Sequence, residues 1–240
     1  MQNFFSALDR SMHQQFSSLD ERSNPVSRSL KHLEAEALIY IIGQYSIFPR
    51  EIVNLLEEAR TSLREWPTVH SALIENISEE KGSRTAGISH YYLLQSGILE
   101  EYSVDIATIS AATGTSTFIE TSLQHLRNTN KAFAAGAIYA IEASSQAEVR
   151  IVKTIAEKLS NVLHQSPLSR QSPLYTFLMS HIEDFEVGHE EALRTTITPQ
   201  LETSSRGHFQ SGFNSILTAM DEWWKSLHEE ARCTRKLVSA

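Results

Sequence analysis

The chain holds a single cysteine, Cys233, near the end of its 240 residues. One thiol closes no intrachain disulfide and builds no cysteine-based zinc site. A reducing, cytoplasmic setting is therefore expected. Basic residues are few and scattered: 21 Lys and Arg stand against 29 Asp and Glu, for a formal net charge of −8. That excludes the clustered positive footprint of a nucleic-acid binder, and no polybasic run points to anionic lipid. The longest apolar run, ALIYII, has six residues, far below the ~20 that span a bilayer. The opening MQNFFSALDRSMHQQF lacks the basic start and unbroken apolar core of a secretion signal. A soluble protein is expected, with no membrane span and no nucleic-acid partner.

Glycine and proline are also sparse, nine and six respectively, and strand patterns joined by two-residue turns are missing. Helical periodicity is frequent instead. The reading is an all-α protein, a single helical-bundle domain over residues 1–240. The breakers set the elements: a helix over 2–19, a second over 26–45, and a third beginning at Pro49, which suits a first helical turn. A fourth starts at Pro67 and stops near Gly82. A fifth starts near Ser89. Region 115–162 is two helices broken near RNTN. The Ser/Pro-rich SPLSRQSP is a loop, followed by the helix of HIEDFEVGHEEAL and a closing amphipathic helix over 207–236.

Three stretches place polar groups where apolar ones are expected. In MSHIEDFEVGHEEAL, residues 179–193, His181 and His189 lie eight positions apart, about 80° around a helix axis. They share a face with Phe185 and Leu178, and Glu186 lies one turn before His189. Glu183 and Glu190 point elsewhere, toward solvent. In LIENISEEKG, Glu75 and Glu79 are one turn apart. Glu80 precedes the helix stop, and His90 opens the next helix beyond a short loop. In AFAAGAIYAIEASS, Glu142 sits among Ala134, Ala135, Ile138 and Ile141, where an ionised carboxylate is costly unless paired. The plain alternatives are an acidic surface helix, a charged helix end, and a pairing of Glu142 with Arg150 or Lys153. Taken together, facing helices that supply carboxylates and imidazoles can build a two-metal site. Tyr139 lies one turn before Glu142 on its face; it either packs or takes part in oxidation chemistry. Tyr91 and Tyr92 are also near these residues, and Trp223 and Trp224 are read as core and rim of the last helix.

The ordered set of QYSIFPREIVNLL, LIENISEEKG with SHYYLL, GAIYAIEASS, FLMSHIEDFEVGHEEAL and GFNSILTAMDEWWKSL resembles the haem-oxygenase-like di-metal oxidase group. Relatives of that group include the chlamydial death-domain-associating protein and the TenA and PqqC folds. The likeness covers residues of about 38–228. It implies a haem-oxygenase-like bundle of about seven helices. It also implies a metal ligand set of Glu80, His90, Glu142, His181, Glu186 and His189. The chain departs from the group's His-x3-Asp-x2-His spacing by one residue. A one-residue π-bulge between 181 and 186 would restore the facing, and Asp184 is the reserve carboxylate. A further upstream glutamate of the group has only Glu75, Glu57 or Glu58 as candidates.

The function implied is a non-haem oxidase or oxygenase using two iron ions, or an Fe/Mn pair, with O2 as co-substrate. It would draw on an external electron donor and act on a small, partly apolar organic molecule near Ile138, Phe177 and Phe185. Bundles of this type often form homodimers. The other readings are a metal-free helical binding protein and a PqqC-like cofactorless oxidase. A TenA-like thiamin-degrading role wants a cysteine at the cavity, which Cys233 does not supply. A haem oxygenase needs an early axial histidine in a context that His13 and His32 lack.

Overall fold

The computed structural model describes residues 2–238, with side chains from Phe4 to Cys233. Its elements, in chain order, are α1 (Gln2–Gln15), α2 (Pro25–Ser29), α3 (Ala35–Tyr45), α4 (Ile47–Ser62), α5 (Pro67–Glu80), α6 (His90–Tyr102), α7 (Thr113–Leu126), α8 (Lys131–His164), α9 (Pro173–Ser180), α10 (Glu186–Ile197) and α11 (Arg206–Val238). A π-helical turn, His181–Phe185, joins α9 to α10, so the two run as one widened helix. No strand occurs among the described residues.

The expected second helix, 26–45, is in fact broken. Asn24 caps α2 by accepting from the amides of Val26 and Ser27, with Pro25 at the first helical position. A short 3-10 turn follows at Leu30–His32, and Glu34 takes extended backbone before α3 starts. The first helix likewise stops at Gln15 and is followed by a 3-10 turn at Ser17–Leu19. Helix α4 begins at Ile47, so Pro49 falls within its first turn, where a missing amide proton costs nothing.

Helices α8 and α11, 34 and 33 residues long, cross at the centre and make the largest contact in the bundle. Two glycines permit the close approach. A Cβ on Gly136 would lie 1.9 Å from the Phe209 carbonyl oxygen, and one on Gly212 would lie 2.0 Å from that of Phe133. Around this crossing α8 is buried almost continuously from Ala132 to Ser144. Helices α3, α7 and α10 pack on the same pair. Phe118 stacks on Trp223 at 4.5 Å, and Tyr45 stacks on Trp223 at 6.0 Å.

Trp224, read from sequence as rim, is fully buried, and its indole N–H donates to Glu148 Oε1 at 2.9 Å. The reason is that α11 packs against both α3 and α8, and Trp224 meets Tyr45 of the first and Glu148 of the second.

Replacing Gly136 with alanine forces the α8–α11 crossing apart. The variant is expected to lose about 1–3 kcal/mol of stability, measured as a lower urea midpoint with an unchanged slope.

Candidate metal centre

Five elements bring the six residues singled out by sequence into one region. Glu80 ends α5, His90 opens α6, Glu142 sits mid-way along α8, His181 opens the π-turn, and Glu186 and His189 belong to α10. The α5–α6 connection turns back on left-handed backbone at Gly82 (φ 102°) and Gly87 (φ 83°), a conformation that glycine adopts without strain. Ser89 then caps α6 by accepting from the Tyr92 amide, which delivers His90 into the interior at 2% exposure.

The π-turn resolves the one-residue surplus between His181 and His189. Its extra residue rotates the following helix, so that His181, Phe185, Glu186 and His189 are all buried while Glu183 and Asp184 stay outside. Glu186 is thus the inward carboxylate. Asp184, the reserve, is paired at the surface with Arg84 Nη2 at 2.7 Å. Gln146 supports the widened backbone from α8, donating through Nε2 to the Ile182 carbonyl at 2.7 Å.

The cluster divides into two halves. In the first, His181 Nδ1 lies 2.8 Å from the Phe177 carbonyl. A carbonyl only accepts, so Nδ1 carries the proton. Burial and the neighbouring His90 push the His181 imidazolium down to about 4, leaving a neutral ring whose Nε2 bears a lone pair. That lone pair faces His90 Nδ1 at 3.3 Å, and His90 Nδ1 faces Glu80 Oε1 at 3.2 Å. Burial would raise the Glu80 carboxyl, but the hydrogen bond and charge of His90, with help from His189 and His181, hold it below its ordinary value. A proton on His90 Nδ1 can serve only one of these two acceptors. Each of these two contacts has the spacing of adjacent ligand atoms around a metal, roughly 3.0–3.5 Å for bonds of ~2.0–2.2 Å, whereas Glu142, Glu186 and His189 are the group among the described residues whose three atoms all lie within 4.8 Å of one another. His90 Nε2, buried on the far side of the ring, has no partner.

In the second half Glu142, Glu186 and His189 are all buried, and each offers a ligand atom within 4.8 Å of the others. Burial and then the charge of Glu142 lift the Glu186 carboxyl well above its ordinary range. Burial disfavours a charge on His189, yet the hydrogen bond and charge of Glu142, then Glu186 and Glu80, push it up to about 10. Its Nδ1 lies 3.5 Å from Glu142 and its Nε2 lies 3.2 Å from Glu79. Asn76, one turn before Glu80, approaches the other Glu142 oxygen at 3.5 Å. Neither Arg150 nor Lys153 pairs with Glu142; Lys153 binds Glu157 and Arg150 is exposed. The chemistry of this donor set, carboxylates with imidazoles and no thiolate, fits hard or borderline divalent ions.

Beside both halves lies a cavity with about 50 Å³ of free space. Apart from the candidate ligands, its walls are Tyr45, Phe48, Pro49, Ile52, Leu94, Ser145, Val149, Phe177 and Leu178, with no lysine or arginine among the described lining residues.

Other residues fall elsewhere. Glu75 is exposed, Glu57 pairs with Arg60 and Glu58 with Arg127, so none joins the cluster. Tyr92 is exposed and Tyr91 half-buried. Tyr139 is buried, but its hydroxyl leads away from the cavity, to Glu190 at 3.0 Å and Asp9 at 3.3 Å, and accepts from Arg194. Burial and the two acids raise the phenol. Glu190, expected in solvent, is half-buried there and also pairs with Arg194. Helix α1 covers this side of α8 and α10 through Phe5, whose ring meets Tyr139 edge-on at 5.0 Å; no pattern within α10 alone signals that. Sequence reasoning noted Glu79 only as one turn from Glu75, and it passed over Arg84 and Glu148. The one available signal was acidity inside an apolar stretch: Glu148 follows Glu142 by six positions and is fully buried.

This is an all-α bundle enclosing a buried Glu/His group that can hold a metal. The family profile of DUF3865, a domain of unknown function with a solved structure, matches residues 2–230, and the chain belongs to that family. A CADD-like protein of unknown function from Nostoc punctiforme PCC 73102 is 32% identical over 96% of this chain and 97% of its own, with a TM-score of 0.89. A domain of unknown function with a haem-oxygenase-like fold from Shewanella denitrificans OS217 is 14% identical over 96% and 94%, with a TM-score of 0.73. A TenA homologue from Pseudomonas syringae pv. tomato DC3000 is 12% identical over 94% and 89%, with a TM-score of 0.57. The last two show the fold, which is haem-oxygenase-like. No curated protein matches. No helix among the described residues is long and apolar enough to cross a membrane.

Glu148 yields a pH test. Burial pushes its carboxyl up to about 8. The folded state therefore holds a proton between about pH 4.5 and 8 that the unfolded state releases, and stability falls as pH rises through that window. Glu148→Gln keeps an acceptor for Trp224 and removes the titration. Its melting temperature is expected to exceed that of the wild type by a margin that grows from pH 5 to 8 and then levels. A constant margin would show that Glu148 does not titrate there.

Proposed function

We propose that the protein is a non-haem di-metal oxidase or oxygenase. It would hold two iron ions, or an Fe/Mn pair, and use O2 with an external electron donor to oxidise a small, partly apolar organic substrate. One observation carries this reading: the facing of Glu80, His90 Nδ1 and the His181 lone pair beside the Glu142–Glu186–His189 group, in a buried place where one proton cannot meet every acceptor. The likeness of five ordered stretches to the haem-oxygenase-like di-metal oxidase group supports it.

In this function Glu80, His90 and His181 would hold one ion, and Glu142, Glu186 and His189 the other. When bound, the metal pair supplies the redox chemistry that makes O2 reactive. The protein supplies the rest. The Phe177 carbonyl holds the His181 tautomer, and Asn76 orients Glu142. Phe48, Ile52, Leu94 and Phe177 present apolar surface to the cavity, which would disfavour water beside a bound substrate. His189 and Glu186, both holding protons more tightly than usual, give them up when ions bind. Metal affinity is therefore expected to rise with pH.

A second reading is a metal-free binding bundle. The pairing of His189 with both Glu79 and Glu142 favours it, because the imidazolium neutralises part of the cluster from within. Anaerobic Fe(II) titration separates the two. The oxidase takes up two ions per chain and, on mixing with O2, passes through a transient visible absorption. The binding bundle takes up less than one. His189→Ala and Glu142→Ala are expected to lower the iron content, and unchanged content in both would remove them from the centre.

Tyr139 is assigned to this function as a residue whose hydroxyl steadies Glu190, the sequence neighbour of His189. Tyr139→Phe is expected to keep two ions per chain and to change the decay rate of the transient absorption. An unaltered decay would leave Tyr139 a packing residue.

A further inference from the structure

The loop between α5 and α6, residues 81–89, joins two residues of the centre, Glu80 and His90. Arg84 stands in that loop, and its guanidinium reaches three groups. Nη1 lies 3.3 Å from Glu79 Oε2, Nη2 lies 2.7 Å from Asp184 Oδ2, and the guanidinium carbon lies 4.8 Å from the centroid of the Phe185 ring. These groups belong to two elements that border the centre, Glu79 to α5 and Asp184 and Phe185 to the π-turn. Glu79 Oε2 is 3.2 Å from His189 Nε2. Asp184 and Phe185 belong to the π-turn, and the Phe185 ring lies 4.5 Å from that of His90 and 5.1 Å from that of His181. One cation at the surface thus touches three of the six buried residues through a single intermediary each.

His189 turns Nδ1 toward Glu142 and Nε2 toward Glu79. If Nδ1 is the atom given to an ion, Nε2 carries the proton, and Glu79 accepts it. An imidazole that donates its far N–H to a carboxylate is held in one tautomer and one ring orientation, and binds metal more strongly. Glu79 is partly exposed, with 24% of its side chain accessible, and a free glutamate there would spend much of its time in water. Arg84 restrains it. Arginine suits the task because its planar fork can address two carboxylates and a ring face together.

We propose that Arg84 and Glu79 are positioning residues for the metal centre: Glu79 fixes the tautomer and orientation of His189, and Arg84 holds Glu79 while clamping the π-turn through Asp184 and Phe185. The assignment rests on the reading that Glu142, Glu186 and His189 hold a cation. Exposed ion pairs contribute little to folding, so the effect belongs in ion binding and not in stability.

Co(II) is a suitable probe, because its visible absorption reports ligand number and geometry. The full-length wild type is titrated beside Arg84→Ala, Arg84→Lys, Glu79→Gln and the Arg84→Ala/Glu79→Gln double variant, and the melting temperature of each metal-free protein is recorded. Glu79→Gln is expected to weaken one of the two cobalt ions about 10–100-fold and to shift its absorption band. Arg84→Ala moves affinity and band in the same direction, and Arg84→Lys recovers part of the loss. The double variant loses less than the product of the two single losses, since the part of Arg84 that acts through Glu79 is already gone, and what it loses beyond Glu79→Gln alone reports the clamp on the π-turn. Wild-type affinity and spectrum in both Arg84→Ala and Glu79→Gln would overturn the proposal. So would losses that multiply in the double variant, or a melting temperature that falls in step with affinity. If Arg84→Ala does not fold, Glu79→Gln and Arg84→Lys carry the same comparison. A wild type that binds no cobalt sinks the underlying metal reading together with this one; a wild type that binds two ions beside unaffected variants sinks this one alone.

Discussion

Three carboxylates and three imidazoles share the interior of this bundle with no lysine or arginine among the described residues of the cavity wall. Charge of one sign cannot be buried in this way unless something within the cluster balances it. The rest of the architecture follows from meeting that demand. Helix ends deliver Glu80 and His90, an apolar helix interior delivers Glu142, and a widened helix delivers His181, Glu186 and His189. Each element needs its apolar face to stay in place, and each carries its polar residues at the price of an interior that must balance their charge.

The balance differs between the two halves. His181 is neutral, its proton committed to a backbone carbonyl. His189 is a cation held between acids. The first half therefore presents lone pairs ready to bind, whereas the second must release a proton first. In the function proposed, an ion arriving at the centre would meet two positions of unequal readiness, although both are built from the same residue types.

Much of this was legible in the sequence. Helix identity followed from periodicity and from the sparse prolines and glycines, and the starts at Pro67 and His90 and the break near RNTN agree with α5, α6, α7 and α8. The odd spacing of His181 and His189 called for an extra residue in the helix, and the π-turn lies at that place. What sequence left unread depends on contacts between distant segments. The break before α3 comes from Asn24 capping and the extended Glu34. The burial of Glu190 depends on α1 lying over α10. The role of Glu79 depends on Arg84, which lies 100 positions from its other partner, Asp184. Periodicity shows which face of a helix is turned inward; it does not show what a loop will reach across to touch.

The crossing at Gly136 and Gly212 bears on how the centre can move. Glu142 stands less than two turns beyond Gly136 on α8, the helix pressed hardest against α11. The other five residues ride on α5, α6 and the widened α9–α10 helix. The centre thus has an anvil on one side and a jointed jaw on the other. Any adjustment of the centre falls to the jaw, and Glu142 is the fixed mark against which it is made.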